Sequence, residues 1–236
     1  MKVTAAAIRK TLEALADRDA ALFAQRFFKT GAGEYGEGDL FRGIRVPVLR
    51  KLSLTLDESP LQEVILLLSS EFHEDRLLAL LLLMRRFIRG KEQDQERIYR
   101  IYLANTRFIN NWDLVDISAA HLVGRFLQFR DRVPLYRLAC SVSLWERRIA
   151  LIATLHFIRQ GEFEDTLALA ELFLDDKEEL LHKAAGWMLR EVGKKNGPVL
   201  EDFLLRHYRR MPRVMLRYAI ERFPEERRSH FLKGMA

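Results

Sequence analysis

The chain has 236 residues, 49% of them apolar and 31% charged, a balance that excludes a disordered segment and leaves ample length for a buried core. Its single Cys excludes a disulfide framework or a multi-cysteine zinc site and fits a reducing compartment. The net charge of +6 and the isoelectric point near 9.5 favour a polyanionic partner such as nucleic acid.

Turn formers are scarce, with 12 Gly and 6 Pro, and Leu outnumbers Val and Ile together. An all-α fold is therefore expected. Lys2, Arg9, Lys10 and Glu13 interrupt residues 1–17, so no secretory leader is expected. The longest apolar run, residues 77–84, is far short of the roughly 20 residues that span a bilayer. A cytoplasmic protein with no membrane contact follows from this reading.

The segment Gly31-Ala-Gly33-Glu-Tyr35-Gly36-Glu-Gly38-Asp39 is rich in glycine. It lacks the Lys-Ser/Thr end of a phosphate-binding loop, and no strand precedes it, so it reads as an ordered connection. Asp57, Ser59 and Pro60 open a helix over 61–70. His73, Glu74 and Asp75 open an apolar helix to about Ile88, closed by Gly90. A helix over 92–104 follows, and Asn110 and Asn111 introduce one over 112–129. Further helices are expected from Val133, from Ser143 to about Arg159 with Gly161 as the stop, over 164–174, and over 177–192 closed by Gly193. Two more start near Pro198 and Pro212.

The second helix of each successive pair begins near residues 74, 111, 145, 177 and 212, a period of roughly 32–37 residues. Helix pairs at this period predict an α-solenoid of HEAT-like antiparallel pairs, a single repeat domain over 1–236 whose second helices line a concave basic groove. In the aligned second helices, Asp116, Arg148, Lys183 and Arg217 share a column, with Ser118, Ala150, Ala185 and Ala219 two residues on. The small residues let helices approach closely, and the charged column should face outward.

Three cations in that column suit a phosphate track. Asp116 opposes one and needs another reason. A salt bridge that orders Arg148 or Arg125 is the plain structural alternative. The functional alternative starts from Trp112, which precedes Asp116 by one helical turn. Trp187 follows Lys183 at the same spacing, and Arg190 comes three residues later. Trp145 reads better as core. Indoles beside a carboxylate suit a flat or cationic ligand. A fixed carboxylate also suits cleavage of an N-glycosidic bond to a cationic purine, because it stabilises an oxocarbenium-like sugar. No His/Cys spacing suggests a metal site, no serine triad can be assembled, and no cofactor is implied. The arginines from Arg209 to Arg227 would extend the basic groove.

Taken together, Asn111-Trp112-Asp113-Leu114-Val115-Asp116, Trp145-Glu-Arg-Arg148 and Lys183-Ala-Ala-Gly-Trp187-Met-Leu-Arg190-Glu191 resemble the DNA alkylation repair enzymes of the AlkD type. Gly43-Ile-Arg-Val-Pro47-Val-Leu-Arg50 is similar to their N-terminal region. The resemblance spans about residues 20–222. It implies a bacterial HEAT-like glycosylase that excises 3-methyladenine and 7-methylguanine from duplex DNA without flipping the base; a solenoid with closed ends is expected to be a monomer. Asp116 would be the catalytic carboxylate, and Trp112 and Trp187 the aromatics packed on the lesion's sugar and backbone. Arg148 would be a phosphate clamp and Arg190 a second contact, with Lys183 and Arg217 along the groove. Phe27 stands where a family member carries Tyr, so a hydroxyl contact to the DNA backbone is absent. A non-catalytic binder of damaged or branched DNA and a protein-interaction scaffold are the alternative uses of such a fold.

Overall fold

The computed structural model describes residues 3–235 and contains helices and turns, with no strand among the described residues beyond an isolated bridge between Leu40 and Phe72. The chain divides into two compact units, Met1–Ser118 and Ala119–Ala236.

In the first unit, Thr4 and Asp17 cap α1 (Ala5–Ala14) and α2 (Arg18–Phe27) by accepting from the backbone N–H of Ala7 and Ala20. Ile8 and Leu12 bury α1 against α4, and Glu63 accepts from the Ala5 backbone N–H at 2.7 Å. None of the ten residues of α2 is buried. The glycine segment follows as turns. α3 (Val46–Thr55) starts with Pro47 in its first turn, and α4 (Leu61–Leu68) starts after Pro60.

The centre of this unit is α5 (His73–Arg89), which packs on α3, α4 and α6 (Glu92–Ala104). Every residue from 73 to 83 is buried. Each fully buried Leu there contributes about 2 kcal/mol. α7 (Trp112–Ala119) ends the series.

The second unit begins with a π-helical turn, Ala120–Gly124, which leads into α8 (Arg125–Leu127). α9 (Val133–Ala139) pairs with α10 (Leu144–Ala153), and α11 (Leu155–Gln160) follows. α12 (Glu164–Leu172) pairs with α13 (Glu179–Lys195), against which α14 (Gly197–His207) also packs. α15 (Arg213–Ala219) and α16 (Glu225–Lys233) close the chain. α10 packs on α13 and α13 on α15, so the second helices of successive pairs stack in series, as expected of an α-solenoid of helix pairs.

The small column behaves as the alignment requires. Ser118, Ala150, Ala185 and Ala219 are all buried. Gly186 carries this furthest: a Cβ there would lie 2.4 Å from the Met215 carbonyl oxygen, so only a residue without a side chain lets α15 come this close.

Three boundaries differ from the sequence reading. The helix from Ser143 breaks at Thr154, whose hydroxyl bonds the Leu151 carbonyl at 2.7 Å and competes with the helical ladder. Gly193 does not close α13, which runs on to Lys195, because the buried Leu200 of α14 packs onto that bare position. The helix from Trp112 contains the π turn, which periodicity does not reveal.

Candidate nucleic-acid interface

The candidate residues of the first unit lie at the start of α7 and the end of α2. Trp112 is half-buried. Its ring stacks on Phe28 at 5.3 Å and meets Phe27 edge-on at 5.9 Å. Phe27 is 55% exposed and stacks on Phe23, which is 70% exposed. A row of open aromatic surface thus runs along α2 to the indole.

Asp116 sits one turn after Trp112, on the same side of α7, and is partly exposed. Its charge reaches Tyr102, which is fully buried and bonds the Ser118 hydroxyl at 2.9 Å. Burial first, and then the Asp116 carboxylate, hold the Tyr102 phenol above its usual range.

A buried polar hub holds α7 at its start. Asp39, the last residue of the glycine segment, accepts from Arg76 at 2.7 Å, Asn110 at 3.1 Å, His73 Nδ1 at 3.2 Å and Asn111 at 3.4 Å. His73 Nε2 bonds Asp113 Oδ2 at 2.8 Å, so the imidazole bridges two carboxylates from opposite sides. Burial alone would lower the His73 pKa. Asp113 and Asp39 overcome this and raise it to about 9, so the ring is an imidazolium at neutral pH. Burial likewise pushes the Asp39 carboxyl up, but His73, Arg76 and Asn110 outweigh it and hold it below the usual carboxylate range.

The residues after His73 tie the same loop down. Glu74 accepts the backbone N–H groups of Arg42, Gly43 and Ile44 at 2.8–3.2 Å. Asp75 pairs with Arg42 at 2.7 Å and with the Ser70 hydroxyl at 2.7 Å. A cavity of about 590 Å³ opens beside this hub, with Phe23, Phe28 and Phe41 on its walls and His73 and Asp113 among its polar lining.

In the second unit, Lys183, Trp187 and Arg190 form a half-exposed line on α13, whose other face is buried through Leu181, Ala185, Met188 and Leu189. The Trp187 indole N–H donates to Glu191 at 3.1 Å, and Lys194 bonds the same carboxylate oxygen at 2.7 Å. Arg190 pairs with Glu221, and Lys183 pairs with Glu179 one turn back. Arg217 of α15 is exposed.

Arg148 departs from the outward-facing column. It is only 5% exposed and donates to the Leu180 carbonyl, because α13 packs over this part of α10 and covers the guanidinium. Trp145, read from the sequence as core, is only partly covered. The C-terminal basic run is largely paired: Arg210 with Asp175, Arg227 with Glu201 and Arg228 with Glu225.

With this geometry in view, the match to known proteins is decisive. The family model described as DNA alkylation repair enzyme matches residues 8–223. The chain belongs to the DNA alkylation repair enzyme family. Its fold is similar to that of a solved structure described as "Predicted DNA alkylation repair enzyme from Enterococcus faecalis", with a TM-score of 0.70 at 18% identity. That match covers 89% of this chain and 97% of the other. No curated protein matches the chain.

The hub residues Asp39, His73 and Arg76 are not singled out as candidates by the sequence reading. The signal was present as four consecutive polar residues, His73 to Arg76, at the head of a Leu-rich run. Such a tetrad reads as a helix start. Burial of all four shows that it is also a structural and electrostatic centre. No helix among the described residues is long and apolar enough to cross a membrane.

Proposed function

We propose that this chain is a monofunctional DNA glycosylase for cationic N3- and N7-alkylated purines in duplex DNA. The observation that carries the reading is Asp116, a partly exposed carboxylate one helical turn from a half-exposed indole on α7. An alkylated purine already bears positive charge, so its departure needs no general acid. The C1′–N bond breaks with its electron pair going to the base, which leaves neutral while positive charge develops on the sugar. Asp116 stabilises that charge and orients a water whose oxygen bonds C1′, and the proton released passes to the carboxylate or to solvent. The product is an abasic site. No Lys is singled out as an imine-forming nucleophile, so no strand cleavage is expected.

Trp112 and Phe27 supply aromatic surface for the sugar of the lesion, and Trp187 is assigned, by itself, to the DNA backbone. Lys183, Arg190 and Arg217 are assigned to phosphates. Trp112 is fixed by its packing on Phe28 and Phe27, which suits an indole that rests on a lesion left in the stack rather than one flipped out. No cofactor or metal takes part in this reading, and the protein acts as a monomer at the nucleoid.

The test is incubation with N7-methylguanine-containing duplex, followed by analysis of freed bases. Wild type is expected to release 7-methylguanine, and Asp116→Asn to lose about 10²–10³-fold in rate with duplex affinity within about threefold of wild type. Equal rates for the two proteins would overturn the catalytic assignment. Duplex binding without release by wild type would leave a non-catalytic binder, and no binding at moderate salt would leave a protein-interaction scaffold.

A further inference from the structure

Trp112 is held from two directions, and both lead to His73. Through the rings, Trp112 stacks on Phe28, and Phe28 lies against His73 at 5.0 Å. Phe41 stacks on the same imidazole at 4.6 Å and 20°. Through the backbone, the residue after Trp112 is Asp113, whose Oδ2 takes the hydrogen bond from His73 Nε2. The other oxygen, Oδ1, is buried with no hydrogen-bond partner among the described residues. Asp113 therefore depends on one donor, and that donor is His73.

We infer that His73, clamped between Asp39 and Asp113, is the positioning residue that fixes the start of α7 and so sets Trp112 and, one turn on, Asp116. The part of this inference that concerns the reaction rests on the glycosylase reading; the part that concerns Trp112 does not.

The clamp needs two donors on one ring. An imidazolium has two N–H groups, whereas a neutral imidazole has one. When the proton leaves, Asp39 or Asp113 loses its bond, and at Asp113 the carboxylate is largely covered, with no other hydrogen-bond donor among the described residues. The charged groups that face the ring are Asp39 from the glycine segment, Asp113 from α7 and Arg76 from α5 itself. The cation opposes the proton and the two carboxylates retain it. His73 also begins α5, where the helix dipole disfavours a positive charge, so the two carboxylates account for the charge being there.

The experiment is ¹⁹F NMR of the full chain labelled with 5-fluorotryptophan, the three resonances assigned by single Trp→Phe variants. Between about pH 7 and 10.5 the Trp112 resonance is expected to titrate with a midpoint near 9, and this transition is expected to vanish in His73→Gln. A Trp112 resonance that does not move across this range, or that moves identically in His73→Gln, overturns the inference.

Asp113→Asn, which keeps the side-chain size, is expected to displace the same resonance at neutral pH; an unchanged position would count against the clamp. Should His73→Gln give no folded protein, the wild-type titration and Asp113→Asn still decide. In single-turnover release of 7-methylguanine, Asp113→Asn is expected to slow the step on the order of 10- to 100-fold, the scale of a small misplacement, with the duplex Kd within about twofold. A wild-type chain that titrates at Trp112 but releases no base overturns the glycosylase reading and leaves the positioning role standing.

Discussion

The two units build their candidate surfaces by opposite means. In the first, the start of α7 meets a hub of charge, with Asp39, His73 and Arg76 buried, Asp113 partly exposed, and Phe28 and Phe41 against the imidazole. In the second, the line Lys183–Trp187–Arg190 is set by close helix packing, with Gly186 and Ala185 bringing α13 against its neighbours and surface carboxylates trimming the cations. Charge fixes direction, because a bidentate or bridged ion pair has a geometry. Small residues fix distance, because they remove the side chains that would hold two helices apart. The first device is costly to disturb and sensitive to pH. The second is indifferent to pH and sensitive to a single methyl group.

The contrast can be broken most forcefully at Asp39. Asp39→Ala leaves the Arg76 guanidinium and the His73 imidazolium buried with one carboxylate fewer. The expected loss is about 3–5 kcal/mol in urea denaturation; a loss below about 1 kcal/mol would mean that the hub does not hold the first unit.

Next in size is the pH effect. The folded His73 pKa near 9 lies above the unfolded value near 6.5. The stabilisation is therefore fully present below about pH 6.5 and is lost as pH rises through 9, amounting to on the order of 3 kcal/mol. Thermal unfolding should show a fall in stability between about pH 6.5 and 9 that is smaller in His73→Gln. An equal fall in both proteins would take His73 out of the explanation.

The smallest of the three sharpens the comparison from the other side. Gly186→Ala raises helix propensity by about 1 kcal/mol, yet its Cβ meets the Met215 backbone oxygen at 2.4 Å. Overpacking against backbone should win, with a net loss of about 1–3 kcal/mol that does not vary with pH. A neutral or stabilising result would mean that α15 shifts freely.

This division also explains what the sequence could disclose. The helical array was legible because caps, proline starts and the repeat period are local signals. Thus α6 runs over Glu92–Ala104 as its pattern predicts, and the small column is buried at all four positions. The one-turn spacings of Trp112 and Asp116 on α7 and of Lys183 and Trp187 on α13 were legible for the same reason. The hub was not, since His73 finds Asp39 and Asp113 at separations of 34 and 40 residues, and no local pattern connects them. Arg148 failed for a related reason: its position in the column is right, but the fate of its guanidinium is decided by α13, a later helix. Thr154 and Gly193 mark the same limit on a smaller scale, one bending a helix by a back-bonded hydroxyl and the other tolerated inside a helix because Leu200 covers it.

There remains the absence of any buried residue in α2. A helix that lends nothing to the interior places few demands on its own side chains, so exchanging Phe23 or Phe27 for another residue costs the folded state little. Selection for foldability is therefore blind to these two rings, and two adjacent phenyl groups facing water are a standing liability for solubility. At the rim of the Trp112 surface they offer two open aromatic faces to any molecule that rests there.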